Sequence, residues 1–154
     1  MKKILPFAVP VLICFALGFF AGLLQADAIL TWYPGLVKPA LTPPNAVFPV
    51  AWSIIYLCIG ISAGLVFNTR GAGRGFLLRL FAVQLLFNFL WSVLFFYFRS
   101  PLLGFIDIVA LDLLVVAYIV RSWPVSRGAS LLFVPYLLWI LFATYLNGYI
   151  LACN

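Results

Sequence analysis

Residues 135–147 read PYLLWILFATYLN, an apolar stretch that carries one tryptophan in its middle part and one asparagine at its end. It belongs to a run long enough to cross a bilayer as a helix, which takes about 20 residues. An amide or an indole N–H buried in hydrocarbon without a partner costs several kcal/mol. Trp139 and Asn147 are therefore predicted to face the interior of a helix bundle or a bound molecule.

The composition extends this prediction to the whole chain. Of its 154 residues, 67% are hydrophobic and 8% are charged, whereas soluble domains are roughly half apolar. Five apolar runs of membrane length occur at about 5–25, 46–67, 77–97, 103–122 and 130–151. They lack strand-like alternation and exceed the length of a barrel strand. We predict an all-α integral membrane bundle, a single domain over residues 1–154 with five transmembrane helices and a long first loop acting as a lid.

The basic residues predict the orientation of this bundle. The formal net charge of +6 is spread over helix ends rather than gathered in one patch, which argues against a nucleic-acid partner. Five crossings place most basic residues at one membrane face: Lys2, Lys3, Arg70, Arg74, Arg79, Arg121 and Arg127. Only Lys38 and Arg99 fall at the other face. The positive-inside rule then predicts a cytoplasmic N-terminus, in a bacterial cytoplasmic membrane.

A cleaved signal peptide is a competing interpretation of the first apolar run. Lys2 and Lys3 precede the run, which ends near Ala26-Asp27-Ala28. The apolar part is longer than the roughly 7–15 residues of a signal sequence. A first membrane helix is therefore the favoured interpretation.

The residue types that are missing exclude several kinds of chemistry. The chain has no histidine, so a histidine-ligated haem is excluded and the commonest metal ligand is lacking. It also has no glutamate, and Cys14, Cys58 and Cys153 form no CxxC pair. We predict no metal site, no catalytic residue and no required cofactor.

The first loop, at about residues 26–45, is long and stiff because it contains four prolines. Ordered loops of this length often serve as lids or binding segments. The alternative is an ordinary interfacial connector with Trp32 and Tyr33 at headgroup level.

Two predicted helices carry polar and aromatic residues on one face. On the third helix, Gln84, Asn88, Trp91 and Phe95 follow one another at steps of four, three and four residues. On the fifth, Pro135, Trp139, Ala143 and Asn147 follow at steps of four. With Trp52, these faces predict a pocket lined by aromatic rings and a few hydrogen-bonding groups. The alternative is that the polar residues only hold helices together.

The fourth helix contains the two intramembrane carboxyl groups, Asp107 and Asp112. A spacing of five residues puts them about 140° apart around the helix, so a paired acid–base dyad is not expected. Asp112 is a candidate for a proton-binding, polar-pathway or interhelical role.

In these residues the chain resembles the TspO/translocator-protein family, the tryptophan-rich sensory proteins related to the peripheral benzodiazepine receptor. The resemblance covers nearly the whole chain. Its matching elements are Trp32-Tyr33, Lys38-Pro39, Thr42-Pro43-Pro44, Pro49, Trp52, Gln84, Asn88, Trp91-Ser92, Phe95-Phe96, Pro135-Tyr136-Leu137, Trp139, Phe142-Ala143 and Leu146-Asn147.

The resemblance implies a five-helix bundle in the lipid bilayer, often a homodimer, with a ligand cavity beneath the first loop. Its ligands would be tetrapyrroles such as protoporphyrin IX, isoquinoline- and benzodiazepine-type compounds and, in some members, sterols. The ligand-binding residues would be Tyr33, Trp52, Tyr56, Asn88, Trp91, Asp107, Trp139 and Ala143, with Lys38 available for a propionate. The three tryptophans would enclose the ring, Asn88 would hydrogen-bond to it and the small Ala143 would leave room.

The leading hypothesis is thus a membrane receptor or sensor that binds a metal-free porphyrin. The resemblance also suggests light-dependent porphyrin degradation, although no acid–base constellation supports an enzyme. A third alternative is transport of porphyrin or another lipophilic molecule, for which no internal repeat is visible. A purely structural role for the tryptophan and asparagine set is the fourth.

Overall fold

The computed structural model describes residues 4–71 and 73–154, so Lys2 and Lys3 lie outside the described residues. The described chain forms six α-helices, with bounds α1 Leu5–Thr31, α2 Val47–Asn68, α3 Gly73–Ser92, α4 Pro101–Ser122, α5 Arg127–Leu132 and α6 Val134–Cys153. By length and hydropathy, five segments of the described chain can cross a membrane, the last of them spanning α5 and α6. The predicted all-α membrane bundle is confirmed.

The helix ends differ from the predicted ones in three places. Helix α1 continues to Thr31, past the predicted end near residue 25, so the first loop is shorter than predicted. Helix α3 runs on into a π-helical turn, Val93–Tyr97. The fifth span is interrupted at Phe133, between α5 and α6. Pro135 lies in the first turn of α6, where its missing N–H leaves no hydrogen bond unmade.

Small residues set the close approach of α1 and α2. A Cβ atom added at Gly60 would lie 2.7 Å from the Cα atom of Val11, and one added at Gly64 would lie 2.8 Å from the carbonyl oxygen of Pro6. Helix backbones in lipid approach this closely only where side chains are absent. The glycines of α2 therefore allow α1 and α2 to pack tightly.

One end of the bundle, which we call the arginine end, holds the chain segments around residues 68–73 and 122–127. Its interior is filled by side chains such as Tyr118 and Phe133, each fully buried, whose ring centroids lie 3.9 Å apart. Ser62 is also buried and donates a hydrogen bond to the carbonyl oxygen of Ala129 at 2.7 Å. This end is a closely packed core.

The opposite end, which we call the loop end, holds the first loop, the turn at residues 98–100 and the C-terminal end of α6. Here the helices separate around an internal space. The loop, which contains a short 3-10 helix at Tyr33–Gly35, covers this space.

Candidate functional site

The loop end contains a cavity of about 160 Å³. Its walls come from the C-terminal halves of α1, α3 and α6, the start of α2 and the first loop. The lining residues are Gln25, Ile29, Tyr33, Asn45, Phe48, Pro49, Trp52, Trp91, Phe95, Phe96, Ala143, Leu146, Asn147 and Ile150. Six of the fourteen are aromatic, so the cavity offers mainly π-faces to a ligand.

One aromatic wall is built by α3 and its π-helical turn. The rings of Trp91 and Phe95 are stacked, with centroids 5.2 Å apart and an interplanar angle of 14°. Phe96 meets both of these rings edge to face, at 5.7 Å from Trp91 and 4.9 Å from Phe95. The three rings contact one another and form an aromatic wall on one side of the cavity.

The π-helical turn contains two consecutive buried phenylalanines, Phe95 and Phe96. The N–H of Phe98 donates to the carbonyl oxygen of Val93 at 2.9 Å, a bond that spans five residues instead of four. Phe95 and Phe96 are both buried, at 2% and 8% exposure. In a regular α-helix, neighbouring side chains point about 100° apart.

Trp52 contributes to the cavity lining from α2. Its indole stacks on the ring of Tyr56, with centroids 5.4 Å apart, and meets Trp139 edge to face at 6.5 Å. Trp139 is supported in turn by Phe48 at 5.8 Å. Because rings brace it on two sides, Trp52 is held in place before any ligand arrives.

The wall of α3 is tied to α6 by a chain of hydrogen bonds. The Trp91 Nε1–H donates to Asn147 Oδ1 at 3.1 Å, and Asn147 Nδ2 donates to the carbonyl oxygen of Pro101 at 2.8 Å. The Asn147 amide, which the sequence placed in hydrocarbon, therefore has protein partners on two other helices.

Asn88 occupies the centre of a second chain. Tyr56 Oη donates to Asn88 Oδ1 at 3.3 Å, and Asn88 Nδ2 donates to Tyr136 Oη at 2.9 Å. Asn88 lines only a void of about 10 Å³ beside the main cavity. Its amide is occupied by tyrosines from α2 and α6, which is the interhelical role the sequence left open as the alternative.

Gln84, one turn before Asn88, is fully buried, yet neither amide atom has a hydrogen-bond partner within the described chain. An orphaned buried amide lowers stability. In this structure Gln84 does not hydrogen-bond one helix to another.

The first loop is fastened over the cavity by its own side chains and by the end of α6. Trp32 and Tyr33 pack on Phe95 and Phe96, at centroid distances of 5.5 and 5.7 Å. Asn154 pairs with both main-chain groups of Val37: the Val37 N–H donates to Asn154 Oδ1 at 2.9 Å, and Asn154 Nδ2 donates to the Val37 carbonyl oxygen at 3.1 Å.

Lys38 also serves the loop rather than the cavity. Its ammonium group donates to the carbonyl oxygens of Tyr33, Leu36 and Pro34, at 2.8, 2.9 and 3.3 Å. Lys38 is not a lining residue. Partial burial raises the pKa of the Tyr33 phenol above its ordinary value, so this hydroxyl stays protonated at the rim of the cavity.

The predicted site residues fall into three groups. Tyr33, Trp52, Trp91 and Ala143 line the cavity. Tyr56, Asn88 and Trp139 lie behind this lining and support it. Lys38 and Asp107 are outside the lining.

Trp139 lies behind the cavity because it is one helical turn from Ala143, toward the middle of the bundle, where it packs on Trp52. Asp107 is buried at 5% exposure and one of its oxygens, Oδ2, has no hydrogen-bond partner among the described residues. The other carboxylate of α4, Asp112, accepts a hydrogen bond from Thr144 Oγ1 on α6 at 2.8 Å.

Residues absent from the predicted site complete the cavity, chiefly Phe48, Phe95, Phe96 and two polar groups at the rim, Gln25 and Asn45. Phe95 was available from its spacing with Trp91. Phe96 follows Phe95 in the π-helical turn and does not share the four- and three-residue spacing. In the described residues, no group of three or more histidine, cysteine or acidic side chains could hold a metal ion.

Fold and site together define a class of protein: a small helical membrane protein whose helices surround an aromatic cavity covered by the first loop. The TspO/MBR family model matches residues 10–152. The chain therefore belongs to the TspO/MBR family, and the predicted membership is confirmed.

Several named relatives are similar over most of their length. A tryptophan-rich protein TspO of Archaeoglobus fulgidus is 42% identical, over 99% of this chain and 99% of its own. One of Chlorobaculum tepidum is 39% identical, over 99% and 98%. The translocator protein of Homo sapiens is 34% identical, over 77% and 72%.

Proposed function

We propose that this protein is a membrane receptor that binds a porphyrin of the protoporphyrin IX type in the cavity at the loop end. The observation that carries the proposal is the aromatic lining of one cavity, to which Trp91, Phe95 and Trp52 all contribute. A planar tetrapyrrole gains stacking and apolar burial against such a lining. The family membership supports the same assignment.

The size of the cavity adds a condition to this proposal. An engineered cavity of about 150 Å³ holds benzene, so the 160 Å³ present here is too small for a whole tetrapyrrole. Porphyrin binding therefore requires the first loop to move outward. Isoquinoline- and benzodiazepine-type compounds are smaller and need a smaller displacement.

The charges around the cavity favour a pose in which the propionates stay outside it. The polar lining residues are neutral amides and a phenol, and the ammonium group of Lys38 is already held by three carbonyl oxygens. Burying a carboxylate without a cation is costly. We infer that the ring enters first and that the propionates stay at the rim, where Lys38 can reach them only if the loop rearranges.

The arginines support the proposed orientation. Within the described residues, five arginines lie at the arginine end, whereas only Lys38 and Arg99 lie at the loop end. By the positive-inside rule the arginine end faces the cytoplasm, and the cavity opens toward the opposite side of a bacterial cytoplasmic membrane. The homodimer and the lack of a required cofactor stay predictions.

Substitution of Ala143 tests the binding site. A phenylalanine at this lining position fills the cavity, so Ala143→Phe is expected to weaken saturable quenching of tryptophan fluorescence by protoporphyrin IX at least about tenfold. Leu138→Phe is the matched control, because Leu138 is 64% exposed on the same helix. Equal affinity in wild type and Ala143→Phe, with unchanged helix content, would reject the cavity as the site.

The contact between Trp52, Tyr56 and Trp139 favours light-dependent porphyrin degradation as a second candidate. These rings form a continuous aromatic chain leading away from the cavity. Illumination of the porphyrin complex in air should then convert its absorption spectrum to that of a new product in wild type and more slowly in Trp139→Phe. An unchanged spectrum in wild type would leave binding alone as the function.

A further inference from the structure

The arginine end carries positive charge that no acidic side chain neutralises. Five arginines lie there in the described chain, namely Arg70, Arg74, Arg79, Arg121 and Arg127. The chain has three acidic residues; Asp107 and Asp112 lie within α4, and Asp27 lies at the loop end, where it pairs with Arg99 at 2.8 Å. Any anionic partner of these arginines must therefore come from outside the chain.

Three of these arginines are held in place by aromatic rings. The guanidinium carbon of Arg74 lies 4.5 Å from the ring centroid of Phe67, that of Arg127 lies 5.7 Å from Trp123, and that of Arg121 lies 6.0 Å from Phe76. A ring orients a guanidinium group but leaves its charge and its outward N–H groups available.

Arg79 turns toward the same place as Arg121. It lies one turn after Phe76 on α3, and its Nε–H donates to the carbonyl oxygen of Gly75 at 3.3 Å, which directs the side chain back toward the start of the helix. Phe76 is 47% exposed. Residues three apart share a helix face, so Arg79 lies on the side of α3 that carries Phe76, the ring beneath the Arg121 guanidinium of α4.

Apolar side chains continue from this ring toward the middle of the bilayer. Val83 lies one turn beyond Arg79 and is 42% exposed, and Leu113 lies two turns before Arg121 and is 68% exposed. A ligand with an anionic head and apolar tails matches this order of charge, ring and aliphatic surface. Arginine forks bind phosphate oxygens in pairs.

We propose that Arg79, Arg121 and Phe76 form a headgroup site for an anionic phospholipid in the leaflet at the arginine end. The phosphodiester accepts hydrogen bonds from both guanidinium groups, the glycerol region covers Phe76, and the acyl chains lie along Val83 and Leu113. This site is separate from the cavity and does not depend on the proposed porphyrin binding.

Native mass spectrometry of the full chain in neutral detergent tests the site. The probe is phosphatidylglycerol, compared with phosphatidylcholine of the same acyl chains. Wild type should retain phosphatidylglycerol preferentially. Since a basic residue near an anionic surface contributes about fivefold in affinity, the Arg79→Gln, Arg121→Gln double variant should bind it roughly 25-fold more weakly.

Arg70→Gln is the matched control, because Arg70 lies at the same end, is exposed and stacks on no ring among the described residues. Because Arg70 is outside the proposed headgroup site and its exposed charge is screened, its loss should change the affinity less than about twofold. Arg121→Lys keeps the charge but not the fork, so it should give an intermediate affinity, and it serves if the double variant does not fold.

Three results would overturn the proposal. The first is equal retention of both lipids by wild type, and the second is a loss of affinity in Arg70→Gln as large as in the double variant or in Arg121→Lys. The third is displacement of the lipid by millimolar glycerol phosphate. The second would mean a diffuse surface charge. The third would mean a site for soluble phosphate rather than for a lipid.

Discussion

At the arginine end of the bundle, side chains fill the interior, whereas at the loop end the same helices enclose a cavity of about 160 Å³. Tyr118 and Phe133 are fully buried against each other at the first end. At the second, Trp52 and Trp91 are only partly buried and face an open space. One end is therefore a packed core, whereas the other leaves large rings facing an open space.

The largest expected effect is at the interface of α1 and α2, on the closely packed side of this comparison. Gly60→Val places side-chain atoms where a Cβ already lies 2.7 Å from Val11 Cα, so the helices must separate. We expect a loss of about 3 kcal/mol in stability, measured by denaturant unfolding in mixed micelles.

Gly22→Val is the control for this change, because an added Cβ at Gly22 meets no atom within 4 Å. It should leave stability nearly unchanged. If the two variants unfold alike, the close approach of α1 and α2 does not limit stability.

A smaller effect on stability should distinguish Asn88 from Gln84, two amide residues on one face of α3. Asn88→Leu breaks two hydrogen bonds and leaves the hydroxyls of Tyr56 and Tyr136 without their partner, at a cost of about 1–2 kcal/mol. Gln84→Leu removes an amide that has no partner in the described chain and should be neutral or stabilising. Thermal unfolding followed by ellipticity measures both, and equal losses would contradict the assignment.

The smallest expected effect concerns the fastening of the loop. Asn154→Ala removes both side-chain hydrogen bonds to the main chain of Val37, so the loop should open more often. About threefold faster porphyrin dissociation is expected in stopped-flow fluorescence, which corresponds to less than 1 kcal/mol.

Cys153→Ala serves as the control for the loop variant, because Cys153 is the exposed neighbour of Asn154. Its dissociation rate should match that of wild type. A wild-type rate in Asn154→Ala as well would mean that the loop does not gate the cavity.

The sequence was sufficient to predict the helices that surround the site. Membrane-length apolar runs determine the number of membrane spans, and the four- and three-residue steps correctly put Asn88 and Trp91 on an inward face of α3. The amide of Asn147 was expected to need a partner, and it accepts a hydrogen bond from the indole of Trp91.

The sequence was insufficient where packing between helices decides. Spacing along α6 gives Trp139 and Ala143 the same face, but only the depth of Trp52 decides that Ala143 lines the cavity while Trp139 lies behind it. The π-helical turn that contains Phe96 likewise depends on hydrogen bonds that apolar periodicity does not reveal.

We proposed that the ligand binds at the loop end. The fraction of tryptophan emission quenched at saturating protoporphyrin IX tests this location most directly. Trp91 lines the cavity, whereas Trp123 follows the last turn of α4 at the arginine end, about 30 Å away by helix length. If protoporphyrin IX binds at the loop end, the quenched fraction should fall in Trp91→Phe and rise in Trp123→Phe. The reverse pattern, or equal fractions in both variants, would contradict it.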